Sequence, residues 1–183
     1  MSDANPHNTP RRLFTALFPI AAASALIDAE RRTWGALPRT LRPVRERMHV
    51  TLQFFNQVDA REEKAWLAAL AGLRFAPFDL VLDRAEIWRA PRGSIVVLRP
   101  AGNAALDGLH AATDELARCA GLASEQRRWK PHLTALRHAE KVALAPLAKP
   151  IAWRVRRVEL IWSDLQARPP RYHVLGRVGG AAA

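Results

Sequence analysis

The chain has 183 residues and a mass of 20.4 kDa, which is enough for one compact domain. Hydrophobic residues at 49% and charged residues at 25% exclude general disorder, and one cysteine, Cys119, excludes a disulfide framework or a multi-cysteine zinc module. Lys and Arg number 28 against 17 acids, and the resulting net charge of +11 favours a polyanionic partner: RNA, DNA or acidic lipid.

Residues 1–10 are polar, carry Pro6 and Pro10, and read as a mobile tail. Residues 10–27 have the look of an export signal, with paired arginines, an apolar stretch and small residues. We read them instead as a strand, 11–18, and a helix, 20–34, because Pro19 suits a first helical turn and Glu30, Arg31 and Arg32 give the helix a polar end. The expected location is the cytoplasm. No apolar run reaches the ~18 residues of a membrane-spanning helix.

Residues 35–47 form a loop rich in proline and arginine (Arg39, Arg42, Arg45 and Arg47). A strand is expected over 48–57 and a helix over 60–71, closed by Gly72. Residues 78–88 and 94–99 read as a hairpin. A helix over 103–120 has Asn103 as N-cap and Gly121 as C-cap. Strands follow at 131–137, 151–162 and 171–178, and residues 179–183 fray. Hairpins mixed with helices argue for an α+β fold with a largely antiparallel sheet over residues 11–178.

Two of the strands carry the same pattern. In Met48-His-Val-Thr-Leu-Gln-Phe-Phe55, Met48, Val50, Leu52 and Phe54 take one face, so His49 and Thr51 share the other. In Pro131-His-Leu-Thr-Ala-Leu136, Leu133 and Ala135 face the core and His132 and Thr134 point away. Each copy offers an imidazole to move a proton and a hydroxyl to donate to a phosphate oxygen. A third His-x-Thr, at His7, lacks the apolar spacers and runs into Pro10; we read it as accidental.

The chain resembles the 2H phosphoesterase superfamily, which is defined by two His-x-Thr-x motifs. It is most similar to the bacterial RNA 2′,3′-cyclic phosphodiesterase branch, also called 2′-5′ RNA ligase-like. The resemblance rests on residues 12–19 (Arg-Leu-Phe-Thr-Ala-Leu-Phe-Pro), 49–52 (His-Val-Thr-Leu) and 131–137 (Pro-His-Leu-Thr-Ala-Leu-Arg), with Arg171, Tyr172 and Leu175 near the end. Phe54-Phe55-Asn56 stands where the family often has Phe-Leu-Gly, and Ala135 where a larger apolar residue is usual. The resemblance implies two pseudo-symmetric lobes with helices outside and a central cleft. It also implies hydrolysis of RNA 2′,3′-cyclic phosphate ends to 2′-phosphates without metal or cofactor. His49 would be the proton donor to the leaving 3′ oxygen and His132 the acceptor that activates water. Thr51, Thr134 and Arg137 would hold the phosphate.

Arg137 lies five residues after His132, an odd offset that an ideal strand sends to the opposite face, so a bulge or an early strand end is required. RNA would enter over the 39–47 loop and over Arg127, Arg128 and Lys130. Trp129 and Tyr172 lie nearest the motifs in sequence, and Trp66, Trp88, Trp153 and Trp162 are expected to pack in the core or within a lobe. The partner is RNA with a cyclic phosphate end, with no membrane, and the protein is expected to be a monomer. The competing readings are RNA joining through a 2′-5′ linkage, a non-catalytic RNA-binding protein on the same fold, and a two-histidine metal site without a clear third ligand.

Overall fold

The computed structural model describes residues 9–35, 38–123 and 128–179. Residues 1–8 of the expected tail, Arg127 of the expected basic cluster and residues 180–183 lie outside the described residues. Eight strands and three α-helices follow one another: β1 (Arg11–Leu17), α1 (Ala21–Thr33), β2 (Val50–Val58), α2 (Ala60–Ala71), β3 (Phe78–Ala90), β4 (Gly93–Pro100), α3 (Ala104–Cys119), β5 (Leu133–Arg137), β6 (Ile151–Val155), β7 (Arg157–Asp164) and β8 (Arg171–Gly179). The proline-rich loop before β2 holds two 3-10 turns, Arg39–Leu41 and Arg45–Arg47. Local chemistry sets the helix starts. Asp59 and Glu62 form a reciprocal capping box on α2, and the Asn103 side chain accepts from the Leu106 N–H on α3. Ala120 caps α3, and Gly121 follows it with φ of 90°, the left-handed position glycine takes after a helix. Among the described residues no helix is long and apolar enough to cross a membrane.

All eight strands join one antiparallel sheet in the order β6-β3-β4-β5-β2-β1-β7-β8, the α+β arrangement expected. The sheet is two sets of four strands meeting at the junction of β2 and β5, which share a single residue pair, Val50 with Leu133. The order within the sets matches: β1-α1-β2 in one and β4-α3-β5 in the other, each ending in a strand that begins with a His-x-Thr motif.

The expected single strand over 151–162 is corrected: Arg156 interrupts it, and its two parts lie in different places. β6 is the sheet's edge strand beside β3, whereas β7 pairs with β1 in the other set. In a flat sheet these strands would stand about 29 Å apart, at ~4.8 Å per strand. Two Cα atoms separated by one residue span at most roughly 7.6 Å. The sheet is therefore bent round on itself, and Val155 and Val158 meet in one buried core. That core draws on both sets, joining Leu17, Val50 and Leu52 to Leu80, Val96, Leu98, Leu133 and Trp153. The helices cross over as well: α1 packs on β5 and β6, and α3 packs on β2.

Candidate active site

The single pair Val50–Leu133 decides the site. In that antiparallel register His49 comes opposite Thr134 and Thr51 opposite His132. Val50 and Leu133 are fully buried, so the pleat turns both histidines and both threonines to the other face. The two motifs, far apart in the chain, thus lie side by side on neighbouring strands.

Each motif strand is then interrupted by a bulge three residues after its histidine. In β2 the pairs Ala16–Thr51 and Thr15–Gln53 leave Leu52 as the extra residue; in β5 the pairs Val97–Thr134 and Val96–Leu136 leave Ala135. The second bulge resolves the offset of Arg137. Ala135 and Leu136 are both buried, and Arg137 returns to the face of Thr134, where its charge is felt at His49. The first bulge brings Phe54 to the face of Thr51, beside Phe14.

Both bulges are held from the opposite set of strands. Arg31 of α1, buried to 4% exposure, donates from Nη1 to the Ala135 carbonyl at 3.2 Å and to the Pro43 carbonyl at 2.8 Å, and pairs with Asp28. Gln53 is buried too. Its Nε2 donates to the His110 carbonyl of α3 at 3.0 Å, while its backbone N–H donates to Thr15 Oγ1 at 3.1 Å. Trp129 adds a bond across the junction, its indole N–H donating to the Thr51 carbonyl at 3.0 Å while its ring stacks on His110 at 3.9 Å. Trp129 is thereby held in place by the fold, and it also lines the cavity described below.

The two imidazoles sit in related surroundings. His132 Nδ1 lies 2.8 Å from the Lys130 carbonyl, which can only accept, so Nδ1 carries the proton and Nε2 is the free nitrogen of the neutral ring. The Arg47 carbonyl stands at the same offset before His49 and favours its protonation, but it completes no hydrogen bond, and His49 Nδ1 is buried without a partner. Burial, then the charges of His132, Arg137 and Arg47, push the His49 pKa down to about 4. Burial and the Arg99 guanidinium also lower His132, with the Lys130 carbonyl opposing them. Both imidazoles are therefore neutral at pH 7 in the free protein.

Aromatic rings flank each histidine. Phe14 stacks on His49 at 4.8 Å, with Phe18 at 5.4 Å and Tyr172 edge-on at 5.8 Å; Arg47 lies over Tyr172 at 5.1 Å. Trp88 contacts His132 at 4.7 Å and donates its indole N–H to Glu86 at 2.7 Å. Trp88 is half-buried at the site and not in the core, while Trp66 and Trp153 are core residues as expected. Trp162 is half-buried and packs, as expected, against the cluster of Leu13, Trp66 and Leu160, with Arg11 over its ring at 4.2 Å. The strand pattern did signal Trp88: it shares parity with the polar Arg84 and Glu86.

Of the expected basic loop, Arg47 reaches the site, Arg45 is tied to Asp28 at 3.1 Å, and Arg39 is exposed. Arg128 and Lys130 line a cavity of about 460 Å³, with Pro131, the residue before His132, on its wall. Among the described residues no three His, Cys, Asp or Glu side chains gather as a metal would need. The arrangement supplies two proton-transfer groups, two hydroxyl donors and one guanidinium on one face.

The sequence model of the 2′-5′ RNA ligase superfamily matches residues 21–167. The chain is 31% identical over 175 residues to the RNA 2′,3′-cyclic phosphodiesterase of Escherichia coli (strain K12), covering 92% of this chain and 96% of that protein. Its fold is similar to a crystal structure described as a phosphoesterase, with a TM-score of 0.82 and 31% identity, covering 94% of this chain and 99% of that one. It is also similar to E. coli LigT complexed with 3′-AMP, with a TM-score of 0.81 and 28% identity over the same shares.

Proposed function

The chain belongs to the 2′-5′ RNA ligase superfamily, and from that premise we propose that it hydrolyses RNA 2′,3′-cyclic phosphate ends to 2′-phosphates. The single observation that carries this reading is the Val50–Leu133 pair, which sets an imidazole and a hydroxyl from each motif on one face. The two sets of strands would then be the walls of a substrate cleft. In-line attack at phosphorus needs a base beside the incoming water and an acid beside the departing oxygen. His132, with Nε2 unprotonated, takes the proton from water. His49 gives a proton to the 3′ oxygen. Thr51, Thr134 and Arg137 donate to the nonbridging oxygens as charge builds on them.

His49 must carry a proton to act as an acid, yet it is neutral in the free protein. The substrate supplies the remedy. An anionic phosphodiester beside Arg137 and Arg47 offsets the charges that hold the imidazole down, so binding and proton uptake are coupled. Hydrolysis is favoured over joining because water is the abundant acceptor.

The test is an RNA bearing a 2′,3′-cyclic phosphate, incubated with the protein in EDTA, with the product identified. A 2′-phosphomonoester supports the reading. A 3′-phosphate reverses the roles of the histidines, a 2′-5′ linked product supports joining, activity that EDTA abolishes supports a metal site, and an end unchanged with and without EDTA leaves a binding protein.

A further inference from the structure

We propose that the cavity beside His132 is a second phosphate subsite, which takes the phosphodiester on the 5′ side of the cyclic end; this rests on the phosphodiesterase reading above. The cavity holds about 460 Å³ and is lined by Arg84, Arg99, Arg128 and Lys130, with Asp107 as its one carboxylate. Volumes of this order suit small-molecule sites.

It adjoins the site directly. Lys130 and Pro131 are the two residues before His132, and the β4–β5 register puts Arg99 opposite His132. Arg84 pairs with Arg99 one strand further on. The cavity thus begins one strand spacing, ~4.8 Å, from the imidazole's own strand. The other cavity, about 660 Å³ around Arg12, Asn56 and Trp162, cannot take this phosphate. Asn56 is seven residues along β2 from His49, roughly 23 Å away at ~3.3 Å per residue.

The donors in the nearer cavity are in excess. Arg84 and Arg99 share Glu86 at 3.8 and 3.6 Å, and Arg84 also meets Asp83 at 3.7 Å. Arg99 Nε is buried with no acceptor. Arg128 and Lys130 make no ion pair among the described residues. Two unpaired cations and an unmet buried N–H want an anion with several acceptor oxygens, and a phosphodiester provides it. The neighbouring residue's phosphate is the one such group that every RNA end carries at a fixed distance from the reacting phosphorus.

The experiment compares kcat/KM on a 2′,3′-cyclic mononucleotide with that on a dinucleotide ending in the same cyclic phosphate, for wild type and for the double variant Arg128→Ala, Lys130→Ala. Both side chains are exposed, so the fold is kept. Wild type should favour the dinucleotide by about tenfold or more, and the variant should bring the ratio close to one. The salt slope for binding the dinucleotide should fall by ~0.7, the value for one lost phosphate contact. A wild-type ratio near one, or a ratio kept by the variant, overturns the subsite. Wild type that opens neither substrate overturns the phosphodiesterase reading and the subsite with it.

Discussion

A histidine buried among Phe14, Phe18 and Tyr172 and near the guanidinium groups of Arg47 and Arg137 is a poor place for a proton, and this governs how the protein should respond to pH. In the free protein, ring NMR should show His49 titrating near pH 4, and inorganic phosphate should move that midpoint upward; a midpoint near 6.5 in both states would refute the coupling. The kcat/KM profile, which reports free protein, should peak below pH 6.5, and the falling limb of kcat should lie at higher pH because bound substrate holds the proton. The same shift bears on stability. The unfolded chain binds more protons than the folded one between pH ~6.5 and the lowered pKa, so stability is present above 6.5 and drains away as pH falls toward 4. Replacing His49 by Asn should flatten that decline in thermal melts. Either His49→Ala or His132→Ala should cost about 10²–10⁴ in kcat while the melting curve at pH 7 stays cooperative. Near-full activity in either variant would remove it from catalysis.

The strands place the histidines, but the bulges finish the site. Arg31→Met should lower stability by about 3 kcal/mol, because Asp28 and two carbonyls lose a buried donor. It should also lower kcat through Arg137, whose position depends on the Ala135 bulge. Denaturant melts and turnover measured together would show whether the two losses travel as one. Trp129→Phe keeps an aromatic ring against His110 but drops the bond to the Thr51 carbonyl, and should cost about 1 kcal/mol together with a fall in kcat. Much at this level is legible in the sequence. The alternation around each histidine declares the face it shares with the threonine two residues on, while the meeting of the two faces comes only with the Val50–Leu133 pair; the odd offset of Arg137 from His132 calls for a bulge or an early strand end. Arg31 is not legible: it reads as the polar end of α1, and only the packing of α1 on β5 makes it a buried donor. The break at Arg156 leaves a trace in the sequence, because the apolar positions pass from odd (Ile151, Trp153, Val155) to even (Val158, Leu160, Trp162) across Arg156-Arg157; the pairing of the second segment with β1, at the far end of the sequence, leaves none. Trp88 is misplaced by its size, although its parity with Glu86 puts it on the polar face.

At the scale of the molecule, a net charge of +11 sets the terms of association. Affinity for single-stranded RNA should fall steeply with salt, and the slope of log affinity against log salt should flatten when Arg39 and Arg128 are replaced by Ala; a flat slope in wild type would argue against backbone phosphate contacts. The bent sheet carries a further consequence for how the protein is made. β1 lies between β2 and β7, and β7 spans Arg157–Asp164, so the first of the described strands waits for the seventh of the eight before its second edge is covered. Pairings this distant in sequence are slow to close. During translation the nascent chain exposes an apolar strand edge for most of its synthesis, which makes the unfinished polypeptide, rather than the finished enzyme, the form most in need of a chaperone.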